Sequence, residues 1–297
     1  MSGVIRLNNV TKSFGENRGV TNLTLDVPKG SIFGFLGPNG AGKTTTISLI
    51  VDLIRPTTGS ISVFGKDVSV NGVEVRSKIG FLAGDFALDG SLTGKQQLDY
   101  FANLRGGVKP SRITELAKRL DCELHRKINT LSRGNQQKIG LISALMTDPE
   151  LLIFDEPTTG LDPLIQAQFH SILDEHRQSG KTAFISSHIL SEVQETCDHV
   201  AFIREGVLVS TQNIKDIALK APKQIRLTTK DSSLVKKLQN MEGYDILSSH
   251  GALYICTYSG KIQTLLKLLA SFDVEDINVA EADLETIFMK YYGDHNV

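Results

Sequence analysis

Ser31-Ile32-Phe33-Gly34-Phe35-Leu36 runs without a break into Gly37-Pro38-Asn39-Gly40-Ala41-Gly42-Lys43-Thr44. The first six residues are apolar nearly throughout, as in a strand buried on both faces. The next eight fit the pattern G-x-x-x-x-G-K-[ST]. Beyond them Ile47, Ile50, Val51 and Ile54 recur at helical spacing. Strand, glycine loop and helix in that order build an anion cradle. Glycines let backbone N–H groups turn inward, and the helix presents its N-terminal partial positive charge to the same anion. Lys43 is placed to reach terminal phosphates, and the Thr44 hydroxyl to ligate Mg²⁺.

A Mg²⁺-nucleotide site needs a further carboxylate at the end of another buried strand. Leu151-Leu152-Ile153-Phe154-Asp155-Glu156 supplies it. Asp155 is placed to hold the metal, and Glu156 to act as the general base on an attacking water. A hydrophobic run ending in Asp-Glu is, by itself, commonly a strand reaching solvent; its pairing with the phosphate loop favours the site.

Working outward, Ile5, Leu7, Val10, Val20, Leu23, Leu25 and Val27 alternate with polar residues, which predicts antiparallel strands with one wet face. Ile79–Leu82 and Thr182–Ser186 read as further buried strands. Residues 85–149 read as helical, and Pro163–Gln178 as a helix between two strands, so a parallel α/β sheet is expected. Val200–Arg204 and Val207–Ser210 form a hairpin. From Ala221-Pro222-Lys223 the pattern restarts as β-α-β-β-α-β, ending in a helix over Leu284–Tyr292, the ferredoxin-like order. The expected division is residues 1–221 and 222–297.

The chain has 297 residues and a formal net charge of −1. That near-neutral balance argues against a nucleic-acid partner. No apolar run reaches the length of a membrane span, and the first residues lack a signal peptide's apolar region. Cys122, Cys197 and Cys256 form no C-x-x-C pair, which fits inert thiols in a reducing cytoplasm.

Together these segments resemble the ATP-binding subunit of an ABC transporter, over roughly residues 4–220. Leu131-Ser132-Arg133-Gly134-Asn135-Gln136-Gln137 is similar to that family's signature, Gly160-Leu161-Asp162-Pro163 to its D-loop, and Ser187-His188 to its switch histidine. The resemblance implies a P-loop ATPase core, with an antiparallel subdomain and a helical subdomain over about 85–149. It assigns catalysis to Glu156, His188 and Lys43. It assigns nucleotide contact to Phe14, Gly37, Pro38, Asn39, Gly40, Ala41, Gly42, Lys43, Thr44, Thr45, Ser132, Gly134 and Asp162, and Mg²⁺ to Thr44, Asp155 and Asp85. Phe14 would stack on adenine or else pack in a core. Ser132 would cap its own helix while that helix end grips the γ-phosphate held by a second subunit.

Two motifs depart from the family pattern. Arg133 and Asn135 replace a Gly and a Gln of the signature. Ala83-Gly84-Asp85 stands where the family has a Gln, so Asp85 either contacts the metal or caps the following helix. The expected function is a cytoplasmic ATPase, peripheral on the inner membrane face. It would use ATP and Mg²⁺, pair as a homodimer or with another ATPase subunit, and power export through a separate membrane-spanning permease. The helical segment Asp85 to about Gly107 would receive the permease. The alternative is a soluble regulatory ABC-type ATPase without a transporter.

Overall fold

The computed structural model describes residues 3–15, 17–216 and 222–280; the expected helix Leu284–Tyr292 lies outside them. The chain divides into two compact units, residues 1–212 and 213–297.

In the first unit, β1 (Ile5–Phe14), β2 (Asn17–Val27), β4 (Thr58–Val63) and β5 (Lys66–Asp67) form an antiparallel sheet in the order β2-β1-β4-β5. The second sheet contains β3 (Ile32–Leu36), β6 (Ile79–Leu82), β7 (Leu151–Asp155), β8 (Thr182–Ser187), β9 (His199–Arg204) and β10 (Val207–Asn213) in the order β10-β9-β3-β8-β7-β6. Neighbours from β9 to β6 run parallel. Every residue of β3, β7 and β8 is buried, the physical meaning of their unbroken apolar runs. One core joins the two sheets, with Ile5, Leu7 and Leu23 of the first against Phe33, Phe35, Ile153 and Phe184 of the second. The rings of Phe33 and Phe184 stack at 5.8 Å.

The sheet is served by α1 (Lys43–Ile50), α6 (Pro163–Gln178) and α7 (Leu190–Thr196). Between β6 and β7 the helices are α3 (Gly94–Leu104), α4 (Pro110–Arg119) and α5 (Arg133–Leu145), so the helical region is narrower than expected. A capping box fixes the start of α3: the Thr93 hydroxyl accepts from Gln96 N, and the Gln96 side chain accepts from Thr93 N. Pro110 and Pro163 open α4 and α6, where their missing N–H costs nothing. The periodicity assigns no element to residues 55–78, yet β4, β5 and α2 (Val68–Ser77) lie there. In α2, Val68, Val70, Val73 and Val75 alternate almost like a strand. Asp67 accepts from Ser69 N and starts a helix instead, leaving Val70 and Val73 about 80% and 78% exposed.

The second unit holds β11 (Lys223–Thr228), α8 (Ser232–Gln239), β12 (Tyr244–His250), β13 (Leu253–Tyr258), α9 (Ile262–Leu269) and β14 (Asp276–Ala280). Its sheet order is β12-β13-β11-β14, antiparallel throughout, which is the ferredoxin-like arrangement. Ile225, Leu227 and Cys256 pack with Leu234, Leu238, Leu265 and Leu269 in a core of its own. The three cysteines are free, and burial pushes the thiols of Cys122 and Cys197 well above their ordinary range.

His176, in the last turn of α6, is buried with Nε2 3.2 Å from the Thr182 carbonyl. Desolvation first, then the Lys181 charge, pushes its pKa down to about 4. The neutral ring is therefore the folded form. Below the unfolded value near 6.5 the unfolded chain binds a proton that the fold refuses, so stability falls from about pH 6.5 towards pH 4. In His176→Gln, whose amide still donates to Thr182 O, that share of the loss is expected to vanish. Thermal unfolding at pH 7 and 4.5 should show a decline smaller by on the order of 1–2 kcal/mol than in the parent; parallel declines would contradict the assignment.

Candidate functional site

The site forms at the carboxyl ends of β3, β7 and β8, where the helix N-terminus of α1 also points. The loop after β3 is braced from both sides: Gly37 N donates to Ser187 O at 3.2 Å, and Gly206 N donates to Ala41 O at 2.9 Å. Gly42 caps α1 at φ 103, a left-handed conformation that disfavours a Cβ. Lys43 is only 5% exposed, with Nζ donating to the carbonyls of Gly37 at 2.8 Å and Pro38 at 3.2 Å.

Asp155 ends β7 with 2% of its surface exposed. Oδ2 accepts from Thr44 Oγ1 at 2.7 Å, and Oδ1 accepts from the Ser186 hydroxyl. Glu156 follows at φ 50, a strained position for a residue with a side chain, held by its N–H donating to Ser186 Oγ at 3.0 Å. Its carboxylate is gripped at both oxygens. Lys43 Nζ lies 3.2 Å from Oε1, and His188 Nδ1 donates to Oε2 at 3.0 Å. Lys43, Thr44, Asp155, Glu156 and His188 are thus brought together as expected.

An open polar cleft of about 190 Å³ fronts this cluster, lined by Thr44, Gly84, Asp85, Arg133, Gln137, Asp155, Glu156 and Thr159. A Cβ on Gly84 would stand 3.3 Å from Asp155 Oδ2, so the loop after β6 runs beside the buried carboxylate. Asp85 enters the cleft and caps no helix, because α3 starts at Gly94 under Thr93; the capping alternative is corrected by that geometry.

Ser132 caps α5 by accepting from Asn135 N at 3.3 Å. A Cβ on Gly134 would come 2.6 Å from Gly160 O, so glycine is needed here for packing within the chain. Asp162 caps α6 through Ile165 N at 3.0 Å. Phe14 is 46% exposed with Lys12 Nζ 5.3 Å above its ring, which makes it no core residue. Sequence reasoning missed Ser186, which binds both Asp155 and Glu156, and Gln137, whose Nε2 donates to Pro157 O at 2.9 Å. Ser186 is opposite Asp155 in the β7–β8 register, a pairing no local motif reveals.

The oxygen donors suit Mg²⁺, which keeps several waters and takes one or two protein ligands besides phosphate. Thr44 Oγ1 and Asp155 Oδ2 form such a pair, while no cluster of three or more His, Cys, Asp or Glu able to hold a metal occurs among the described residues.

The family profile described as ABC transporter matches residues 20–159. A bacitracin transport ATP-binding protein, BcrA of Enterococcus faecalis, is 34% identical over 99% of this chain and 97% of its own length. An uncharacterized ABC transporter ATP-binding protein of Bacillus subtilis (strain 168), YhcH, is 31% identical over 99% and 97%. Among solved structures, an ATP-binding subunit of an ABC transporter superposes with TM-score 0.65 at 26% identity, covering 72% of this chain and 91% of that one. The dimeric bacterial ABC transporter cassette MJ0796 also superposes with TM-score 0.65, at 25% identity over 71% and 98%. With the phosphate loop, the paired carboxylates and the full-length relatives in agreement, the chain belongs to the ABC transporter ATP-binding proteins and is an ATPase of that family.

Proposed function

We propose that this ATPase powers export through a separate membrane-spanning permease, working as a pair of ATP-binding subunits at the inner face of the membrane. The observation that carries the catalytic reading is Glu156, strained at φ 50 and held between Lys43 and His188 directly beyond the Thr44–Asp155 pair. The family supplies ATP as substrate. Mg²⁺, when bound, would neutralise phosphate charge beside Thr44 and Asp155, with Asp85 facing the same cleft.

The chain's own groups then divide the work. Backbone N–H groups of Gly37–Thr44 wrap the phosphates. Lys43 moves its ammonium from Glu156 to the terminal phosphate oxygens, which leaves Glu156 Oε1 open to accept a proton from the attacking water. His188 keeps Oε2 oriented and lies next to the transferred group. Ser132 and Gly134, at the start of α5, would grip the nucleotide held by the second subunit, with Asp162 beside that joint.

No helix among the described residues is long and apolar enough to cross a membrane; the transport path is assigned in this reading to a partner. The region from Asp85 to Gly107, containing α3, is the surface proposed to receive it. Relatives named for bacitracin transport support a transport role.

Two expected outcomes test this reading. Glu156→Gln should bind ATP normally and lose steady-state hydrolysis by roughly 10²-fold or more, trapping an ATP-bound dimer visible by size-exclusion chromatography. Near-normal turnover would show that another group activates the water. Residues 222–297 are proposed to act on the lifetime of the pair or on coupling to the permease. Truncation at Pro222 should therefore leave nucleotide affinity intact in a chain whose folding is verified by circular dichroism; loss of affinity would contradict the assignment.

A further inference from the structure

Glu156 and His188 meet across 3.0 Å, yet each follows the end of its own strand, Glu156 after β7 and His188 after β8. The sheet brings the two strands together at Asp155 and Ser186, and Ser186 also holds Glu156 N. Beyond that point the segments are joined a second time by a side chain from α7. Glu192 Oε2 accepts from Thr158 Oγ1 at 2.9 Å and from Ser187 Oγ at 3.1 Å. Thr158 lies two residues past Glu156, and Ser187 immediately precedes His188. Both are buried, at 7% and 4% exposure.

Glu192 stands in the first turn of α7, where a carboxylate suits the helix N-terminus. A Glu at this third helical position commonly reaches back to the N–H of the capping residue. Here that N–H, of Ile189, donates instead to Ser187 Oγ at 2.9 Å. The carboxylate is thus released from its local task and turned onto the two loops. The Ser187 hydroxyl also lies 3.3 Å from Ile189 O, but the charged oxygen of Glu192 is the nearer and stronger acceptor. The segments that Glu192 joins are anchored on their other sides. Gln137 of α5 donates to Pro157 O at 2.9 Å, and Gly37 of the phosphate loop donates to Ser187 O at 3.2 Å.

We propose that Glu192 is a positioning residue for ATP hydrolysis: by binding Thr158 and Ser187 through one carboxylate oxygen, it holds the loops that carry Glu156 and His188 in register. Glu156 sits at φ 50, a conformation that persists only while its surroundings over-determine it. Releasing Thr158 removes one of those constraints and lets the base drift from His188. The inference rests on the ATPase reading and adds to it a residue that touches neither nucleotide nor water.

The test is steady-state hydrolysis and equilibrium ATP binding by the full chain, with thermal unfolding measured alongside. Glu192→Met keeps the length of the side chain but offers no acceptor oxygen. It is expected to lower kcat about ten-fold while KM and ATP affinity stay within about two-fold of the parent, because a misplaced base weakens the transition state and not binding. Glu192→Gln keeps an oxygen for both hydroxyls and is expected to recover most of that loss. Thr158→Val removes one donor with little change of shape and should lower kcat about three-fold, which reads the link even if Glu192→Met fails to fold. Joined to Glu192→Met it should cost little more, since both break the same link. A merely structural Glu192 would lower the unfolding midpoint and leave kcat of the folded chain at the parental value, which would overturn the proposal. Parental kcat in Thr158→Val, equal losses in the Gln and Met variants, or losses that multiply in the double variant would overturn it too. A parent chain that binds ATP without hydrolysing it would overturn the ATPase reading itself, a distinct result.

Discussion

Asp155 is buried at the end of a strand covered on both faces, and its two oxygens accept from Thr44 and Ser186. A carboxylate taken so far out of water is stable only if its lone pairs are met by donors. Those donors come from the first turn of α1 and the end of β8. Meeting the cost of one buried charge therefore fixes three elements relative to each other. Ser186 extends the tie by accepting from Glu156 N, which helps hold the next residue at its strained φ. Glu156, the proposed general base, is aimed by the same hydroxyl that satisfies Asp155.

The parts of this arrangement that were legible in the sequence are those encoded locally. The phosphate loop is a contiguous pattern. The strands β3 and β7 announce themselves as apolar runs because a parallel sheet buries both faces of its strands. The ferredoxin-like order of the second unit was readable because its strands and helices are short, regular and punctuated by turns. What escaped depends on tertiary register. Ser186 matters because β8 pairs beside β7, and α2 is a helix although its valines alternate, because Asp67 caps it. That Asp85 caps no helix needed the knowledge that α3 starts at Gly94 under Thr93.

The site's electrostatics follow a consistent logic. In the proposed mechanism the Lys43–Glu156 pair is the one that reorganises: Lys43 leaves Glu156 when phosphate arrives, and Glu156 then serves as the base. Asp85 and Arg133 line the open cleft in front of that pair. Gly134 lets α5 approach the Gly160 carbonyl closely, so the end of α5 that carries Arg133 is positioned by packing rather than by chance.

The central claim is that Asp155, braced by Thr44 and Ser186, is the protein's hold on Mg²⁺ beside the nucleotide. It is tested most directly by measuring ATP affinity with and without Mg²⁺ in the parent chain and in Asp155→Asn. The account predicts that Mg²⁺ strengthens binding in the parent and that this gain is largely lost in Asp155→Asn, while metal-free affinity is kept or improved. An equal Mg²⁺ gain in both proteins would contradict it.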